Sequence, residues 1–178
     1  PPSIKGFTAH VVVKPSARFK NRQPYSLSKY DEARLAYLLE EEEREGKIER
    51  LKPGDPPPLC VTPTFMVDKK GSFIGRRVGD YQVFNANTED YFHPAPEADA
   101  ILMRATGRRR HSVLDCVWGF TQIPVDEETS KILALVTRRG MLLPKVLYFG
   151  PKQGPGIFQA FVDSVWNGTL EDDGNEFL

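Results

Sequence analysis

Val61 to Val83 reads VTPTFMVDKKGSFIGRRVGDYQV. Val61 to Val67 is a β-branched and aromatic run, which is strand chemistry. Lys69 to Gly75 holds two glycines, which suits a hairpin turn, and Arg76 to Val83 is the expected returning strand. Upstream, Lys52 to Pro58 contains four prolines and reads as a loop. Before it, Ser28 has the chemistry of an N-cap, with Asp31 three residues on as a weaker form of the capping box. Leu35, Leu38 and Leu39 then repeat at helical spacing through Glu45, and Gly46 is the expected residue just past the helix end. The acidic run Glu40 to Glu43 is expected on the solvent face. His10 to Val13 reads as a short strand, and Arg18 to Leu27, which includes Pro24, reads as an extended arm.

Downstream, Asn85 to Pro96 is irregular. Pro96 is expected to open a short helix with Ala98, Ile101, Leu102 and Ala105 on its apolar side, closed by Gly107. Ser112 to Asp115 reads as a short strand ending in an acid. Ile132 to Thr137 and Lys145 to Phe149 are expected strands flanking the turn Arg138-Arg139-Gly140. Gly150 to Gly154 is a loop. Pro155 opens a last helix whose stripe of Ile157, Phe158, Phe161, Val162, Val165 and Trp166 is core-facing. The pattern is mixed α+β with mostly antiparallel strands.

The chain has 178 residues, 40% of them hydrophobic and 27% charged, with 15 prolines and 14 glycines. This is long enough for one ordinary domain or two small lobes with a buried core. The formal net charge is zero, which argues against a strongly basic nucleic-acid-binding module. Local pairs and triplets still matter to what a cleft attracts: Lys69-Lys70, Arg76-Arg77, Arg108-Arg109-Arg110 and Arg138-Arg139. Each has the plainer reading of a solvated face. The two cysteines, Cys60 and Cys116, form no disulfide framework and have no metal-ligand spacing. His10, His93 and His111 are scattered. A reducing intracellular compartment is expected, and no apolar run is long enough to span a membrane. The opening Pro1-Pro2 suggests a piece of a longer chain.

No one of these features decides the function. Their order does. Asn21 to Ser28, Gly46 to Glu49, Pro63 to Ser72, Arg76 through Asp80-Tyr81 to Asn85, and His93 to Pro96 follow one another in a fixed sequence. Ser112 to Asp115, Gly119 to Ile123, and Phe149-Gly150 with Gly154-Pro155 and Ile157 to Gln159 complete it. This collinear set, from about Ala9 to Trp166, resembles the reverse transcriptases of Gypsy-type long-terminal-repeat retrotransposons. The resemblance implies a reverse-transcriptase-like polymerase fold with helices on one side of the strands. Residues 1–112 would be a fingers-like region with its N-terminal arm. Residues 113–178 would be a partial palm, cut before the Tyr-x-Asp-Asp hairpin.

The implied activity is RNA-directed DNA synthesis: nucleotidyl transfer from a dNTP to a primer hydroxyl, with two Mg2+ or Mn2+ ions. Partners would be an RNA or DNA template-primer, the dNTP and the rest of a polyprotein, namely the remaining palm, a thumb and an RNase H. No membrane partner is implied; the cytoplasm, a virus-like particle or the nucleus would be the setting. Asp115 would be the catalytic carboxylate and a metal ligand, with the backbone carbonyl of Cys116 as a second metal contact. Lys69 and Arg76 would fold over the triphosphate, although Lys70 or Arg77 are alternatives. Phe120 would stand under the sugar and exclude a 2′-hydroxyl; its plainer fate is a core phenylalanine. Phe149 and Gly150 would line the nucleotide pocket. Arg108, Arg109, Arg110 and Gln159 are weaker candidates for nucleic-acid contact.

The chain also departs from the family pattern. Gly75 stands where tryptophan is usual, Gln82 where arginine is usual, and Tyr148 where proline usually precedes Phe-Gly. Trp118 occupies a position that is commonly small. Leu170-Glu171-Asp172-Asp173 imitates the second aspartate motif but lacks flanking apolar strands. These departures leave a different class open: a non-catalytic polymerase-like module that binds nucleic acid or a protein.

Overall fold

The central hairpin forms, with a tighter turn than its glycines suggest. The computed structural model describes residues 6–93, 97–113 and 115–166. In chain order the elements are α1 (Lys29–Arg44), β1 (Ile48–Arg50), β2 (Val61–Lys69), β3 (Ser72–Gly79), α2 (Gln82–Ala86) and α3 (Ala98–Ala105). A 3-10 turn (Gly119–Gln122), α4 (Glu127–Ile132), β4 (Ala134–Thr137), β5 (Gly140–Pro144) and α5 (Gly154–Trp166) follow.

The five strands make one sheet in the order β1-β5-β4-β2-β3. Three pairings are antiparallel; β2 and β4 run parallel through Val61↔Ala134 and Pro63↔Val136. The sheet is therefore mixed. It draws three strands from the 1–112 part and two from the rest, so the two parts share one sheet.

Helix α1 begins as its sequence requires. The Ser28 hydroxyl accepts a hydrogen bond from the Asp31 amide at 3.0 Å, and Asp31 and Glu32 place negative charge at the helix N-terminus. Its Leu35 and Leu39 are buried in the main core with Ile48, Tyr81, Phe84, Ile123, Leu135, Leu142, Leu147 and Ile157. The acidic run does not simply face solvent. Glu42 turns inward, and Glu43 pairs with Arg50 at 2.9 Å.

Several sequence expectations change. The returning strand starts at Ser72 and ends at Gly79, so Asp80 to Val83 are not strand. Asp80 caps the amide of Gln82 at 3.2 Å, and Tyr81 and Phe84 bury their rings edge to face at helical spacing. β2 and β3 fall out of step between Val67 and Lys69. Gly75 sits in this irregularity at φ +82, where a Cβ would lie 2.6 Å from the Val67 carbonyl oxygen. A tryptophan does not fit this backbone, which accounts for the departure at that position.

The strand expected at Lys145 to Phe149 lies earlier, as β5; α4 was not expected, and it takes Ile132 from the start of the strand expected at Ile132 to Thr137, which begins at Ala134. The β1 strand was also unforeseen; three residues are too few to show a period. His10 to Val13 forms no strand. It is strapped down by isolated bridges at Ala9↔Val125 and Val13↔Thr88. The Val11 amide donates to Thr129 Oγ1, and Gln153 takes hold of both the amide and the carbonyl of Val12. Of the strand expected at Ser112 to Asp115, the described residues Ser112, Val113 and Asp115 are not strand: they are exposed and carry no ladder pairing, and a strand without a neighbour leaves its backbone groups to water. The expected helix start at Pro96, the residues Pro94 and Ala95, Leu114, and the Leu170 to Asp173 imitation lie outside the described residues.

Candidate functional site

An aromatic stack organises the region. Phe120, from the 3-10 turn, lies nearly parallel to Phe158 of α5, with ring centroids 4.8 Å apart and planes 12° apart. On its other side Phe149 approaches to 4.4 Å. Phe158 continues to Phe161, and Phe161 to Phe7. Offset and tilted pairs at these spacings favour one another beyond simple burial. Phe149 remains 62% exposed, so the stack opens to solvent at that end.

Gly150 follows at φ +120, and a Cβ there would sit 2.4 Å from the Tyr81 ring. Glycine is needed for this close approach. The Asn85 side chain fixes the same loop from two directions. Its amide donates to the Gly150 carbonyl at 3.0 Å, and its oxygen accepts from the Lys152 amide at 2.8 Å. Gln153, 1% exposed, donates to the carbonyls of Val12 and Glu89.

An open groove of about 580 Å³ runs past this loop, lined among others by Tyr25, Phe65, Asp80, Tyr81, Asn85 and Gly150. That volume is in the range of ligand sites. On its wall Arg22, Tyr25 and Asp80 form one network. Arg22 and the Tyr25 hydroxyl both donate to Asp80, and Arg22 reaches the Tyr25 oxygen at 2.7 Å. The Tyr25 hydrogen bond, then Arg22, hold the Asp80 carboxyl below its ordinary value against the opposing effect of burial.

The fingers hairpin carries the basic candidates. Lys69 and Arg76 are exposed near the Lys70-Gly71 turn, and neither makes an ion pair with a described residue. The hairpin is tied to α1: Arg34 bonds Asp68 at 2.8 Å, and the Tyr30 ring meets Phe73 edge to face. Arg77 is not a free alternative to Arg76. Its side chain is 5% exposed, paired with Glu42 at 2.8 Å and stacked over Tyr148 at 4.4 Å. Strand alternation therefore sends Arg76 to the opposite face of β3.

Asp115 and Cys116 are exposed and precede the turn at Trp118, which takes the left-handed conformation at φ 56. The Lys47 ammonium lies 5.4 Å from the Trp118 ring centroid. Among the described residues no group of three or more His, Cys, Asp or Glu is placed to hold a metal ion. Asp115 and the Cys116 carbonyl alone fall short of the oxygen ligands that two magnesium ions require. Arg108, Arg109 and Arg110 are exposed; Gln159 is half-buried and donates to Asp163, which also meets His93 at 2.6 Å.

The structure thus brings Phe120, Phe149 and Gly150 together. Arg22 and Tyr25 stood inside the Asn21 to Ser28 segment and Glu42 inside the acidic run, none with an assigned site role, and Gln153 was not singled out, because each acts through a partner far along the chain. Asn85 stood inside a motif but had no assigned role.

The chain is an α+β domain with a mixed five-stranded sheet, compatible with a polymerase-like domain. No family model matches it. It is 32% identical over 131 residues to a polyprotein of Cassava vein mosaic virus, covering 72% of this chain and 20% of that one. It is 32% identical to an enzymatic polyprotein of Figwort mosaic virus, covering 61% of this chain and 17% of that one. It is also 32% identical to an uncharacterised protein of Caenorhabditis elegans, covering 61% and 9%. The chain spans a fifth or less of the length of these curated relatives. The likeness is to a region of enzymatic polyproteins and does not single out the Gypsy type. No helix among the described residues is long and apolar enough to cross a membrane.

Proposed function

We propose that this chain supplies the fingers and the front of the palm of an RNA-directed DNA polymerase within a larger polyprotein. One observation carries the reading. Phe120 and Phe149, distant in sequence and each assigned by resemblance to the nucleotide pocket, meet with ring centroids 4.4 Å apart and planes tilted by 42°, with Gly150 packed on Tyr81 beside them. Phe120 would limit space at the sugar 2′ position, and Lys69 and Arg76 would neutralise the triphosphate. The groove past Tyr25, Phe65 and Asn85 would take the template strand. Asp115 would give one carboxylate to a cation set completed by residues outside those described.

A second reading, a non-catalytic module that binds nucleic acid or a protein, is favoured by the single exposed carboxylate at Asp115. Primer extension on a primed RNA template by the polyprotein that carries this chain separates the two. Extension lost in Asp115→Asn, with template binding retained, supports the polymerase. Template binding without extension supports the module.

A further inference from the structure

Tyr148 stands where the resemblance leads to proline, and Arg77 is the second residue of a basic pair. Glu42 lies inside an acidic run. Their positions in sequence suggest no common purpose, yet the fold joins them. The Arg77 guanidinium reaches Glu42 through Nε at 3.4 Å and through Nη2 at 2.8 Å. Its Cζ lies over the Tyr148 ring, 4.4 Å from the centroid, and the Tyr148 hydroxyl donates to Glu42 Oε2 at 3.0 Å. The paired charge and the contact with the aromatic face are what make a buried guanidinium tolerable. Burial drives the Tyr148 phenol far above its ordinary value, so it stays a neutral donor. Burial pulls the Arg77 value down, but Glu42 and the neighbouring tyrosines more than offset this, so the cation persists.

The three residues come from three places. Glu42 is on α1, Arg77 on β3, and Tyr148 just beyond β5. Each of the latter two adjoins a residue of the proposed pocket. Arg77 follows Arg76, and Tyr148 precedes Phe149 and Gly150. Tyr81, whose buried hydroxyl has no hydrogen-bond partner among the described residues, backs onto Gly150.

We propose that Glu42, Arg77 and Tyr148 form a buried strut that sets the fingers strand bearing Arg76 against the loop bearing Phe149 and Gly150. They are positioning residues for dNTP, an assignment that rests on the polymerase reading. In this chain Tyr148 does by hydrogen bonding and stacking what a rigid proline ring cannot do.

Two measurements test it. In the 178-residue chain, amide exchange is followed at Arg76 to Val78 and at Phe149-Gly150. Tyr148→Phe keeps the ring under Arg77 but removes one hydrogen bond. It should speed exchange at both segments together, by about threefold to tenfold, and Glu42→Gln by more. Lys131→Ala, which breaks only a surface pair, should change neither. Faster exchange at the loop with β3 unaffected overturns the strut, whatever the chain's activity. In the carrier polyprotein, Tyr148→Phe should raise KM for dNTP about threefold to tenfold while kcat stays within about twofold. A parallel loss of kcat and folded protein, with KM unchanged, would mean a structural role alone. A wild-type polyprotein without extension would sink the polymerase reading and leave the exchange result to decide the strut.

Discussion

At the scale of the residue, Phe120 shows how one side chain serves the fold and the proposed site at once. It is held between Phe149 and Phe158, so shortening it has two consequences. Phe120→Val should cost about 1–3 kcal/mol of stability by chemical denaturation, from lost area and lost ring contacts. In the carrier polyprotein it should also lower the ratio of deoxy- to ribonucleotide efficiency by about tenfold or more. An unchanged ratio in a folded variant would leave Phe120 a core residue only. The two cysteines behave oppositely. Cys60 is 1% exposed and burial pushes its thiol to about 11, whereas Cys116 is exposed. A thiol reagent at neutral pH should modify one cysteine quickly in the native chain and both in denaturant. Fast modification of Cys60 in the native state would show that the core around it opens readily. Asp80 gives a pH signature. Its folded value is depressed, so its network with Tyr25 and Arg22 contributes stability above the ordinary carboxylate value near 3.8, and that contribution is lost as pH falls through the depressed value. The stability gap between wild type and Asp80→Asn should be constant at neutral pH and shrink below about pH 4. A gap independent of pH would mean that Asp80 is held by shape, not charge. Motif order named Phe120, Phe149 and Gly150 together before the structure placed the two rings in contact. Arg22 and Glu42 were not legible in this way, since an arginine in an arm and a glutamate in an acidic run look solvent-facing until their partners are in view.

At the scale of the element, what the sequence disclosed followed chain-local chemistry. The α1 helix was readable from Ser28 to Gly46 because its cap, leucine spacing and stop are all local. The hairpin of β2 and β3 was readable for the same reason, but its exact turn was not. Two glycines offered two places to bend, and Gly75 was taken up by an irregularity instead of the turn. The strands β1 and β5 hold because they pair with each other through Ile48↔Pro144 and Arg50↔Leu142, a long-range match that three residues cannot advertise. The described residues of the Ser112 to Asp115 segment failed in the reverse way. Its composition suits a strand, but strand structure needs a neighbour, and the described chain provides none there. Ser28→Ala should lower stability by about 1 kcal/mol in a denaturant titration. A change within error would mean that the Asp31 amide finds water at no cost. Helix α3 runs for eight residues without a side-chain cap and buries none of them, with Leu102 and Met103 at 65% and 78% exposure. Its amides should exchange far faster than those of β4, all four residues of which are buried. Equal protection would show that α3 is covered in solution.

At the scale of the whole molecule, the chain is one continuous sheet with its proposed nucleotide pocket at a junction of distant segments. That junction depends on straps more than on strands. Gln153 holds Val12 and Glu89, Asn85 holds the loop from Gly150 to Lys152, and Lys152 pairs with Asp90 at 2.7 Å. A pocket built in this way can be pre-formed without being catalytically complete, because positioning and charge neutralisation are separate requirements of phosphoryl transfer. On the polymerase reading, the described residues would meet the first requirement in part. They fall short of the second, with Asp115 the one carboxylate that resemblance assigns to the chemistry and no acidic cluster beside it. Magnesium retains its waters unless several carboxylate or phosphate oxygens replace them, so a lone exposed aspartate binds it weakly. The 178-residue chain by itself should therefore extend no primer on a primed RNA template, with either magnesium or manganese present. Sustained extension that disappears in Asp115→Asn would overturn this prediction. It would mean that acids outside the described residues, Asp172 and Asp173 among them, converge on Asp115 after all.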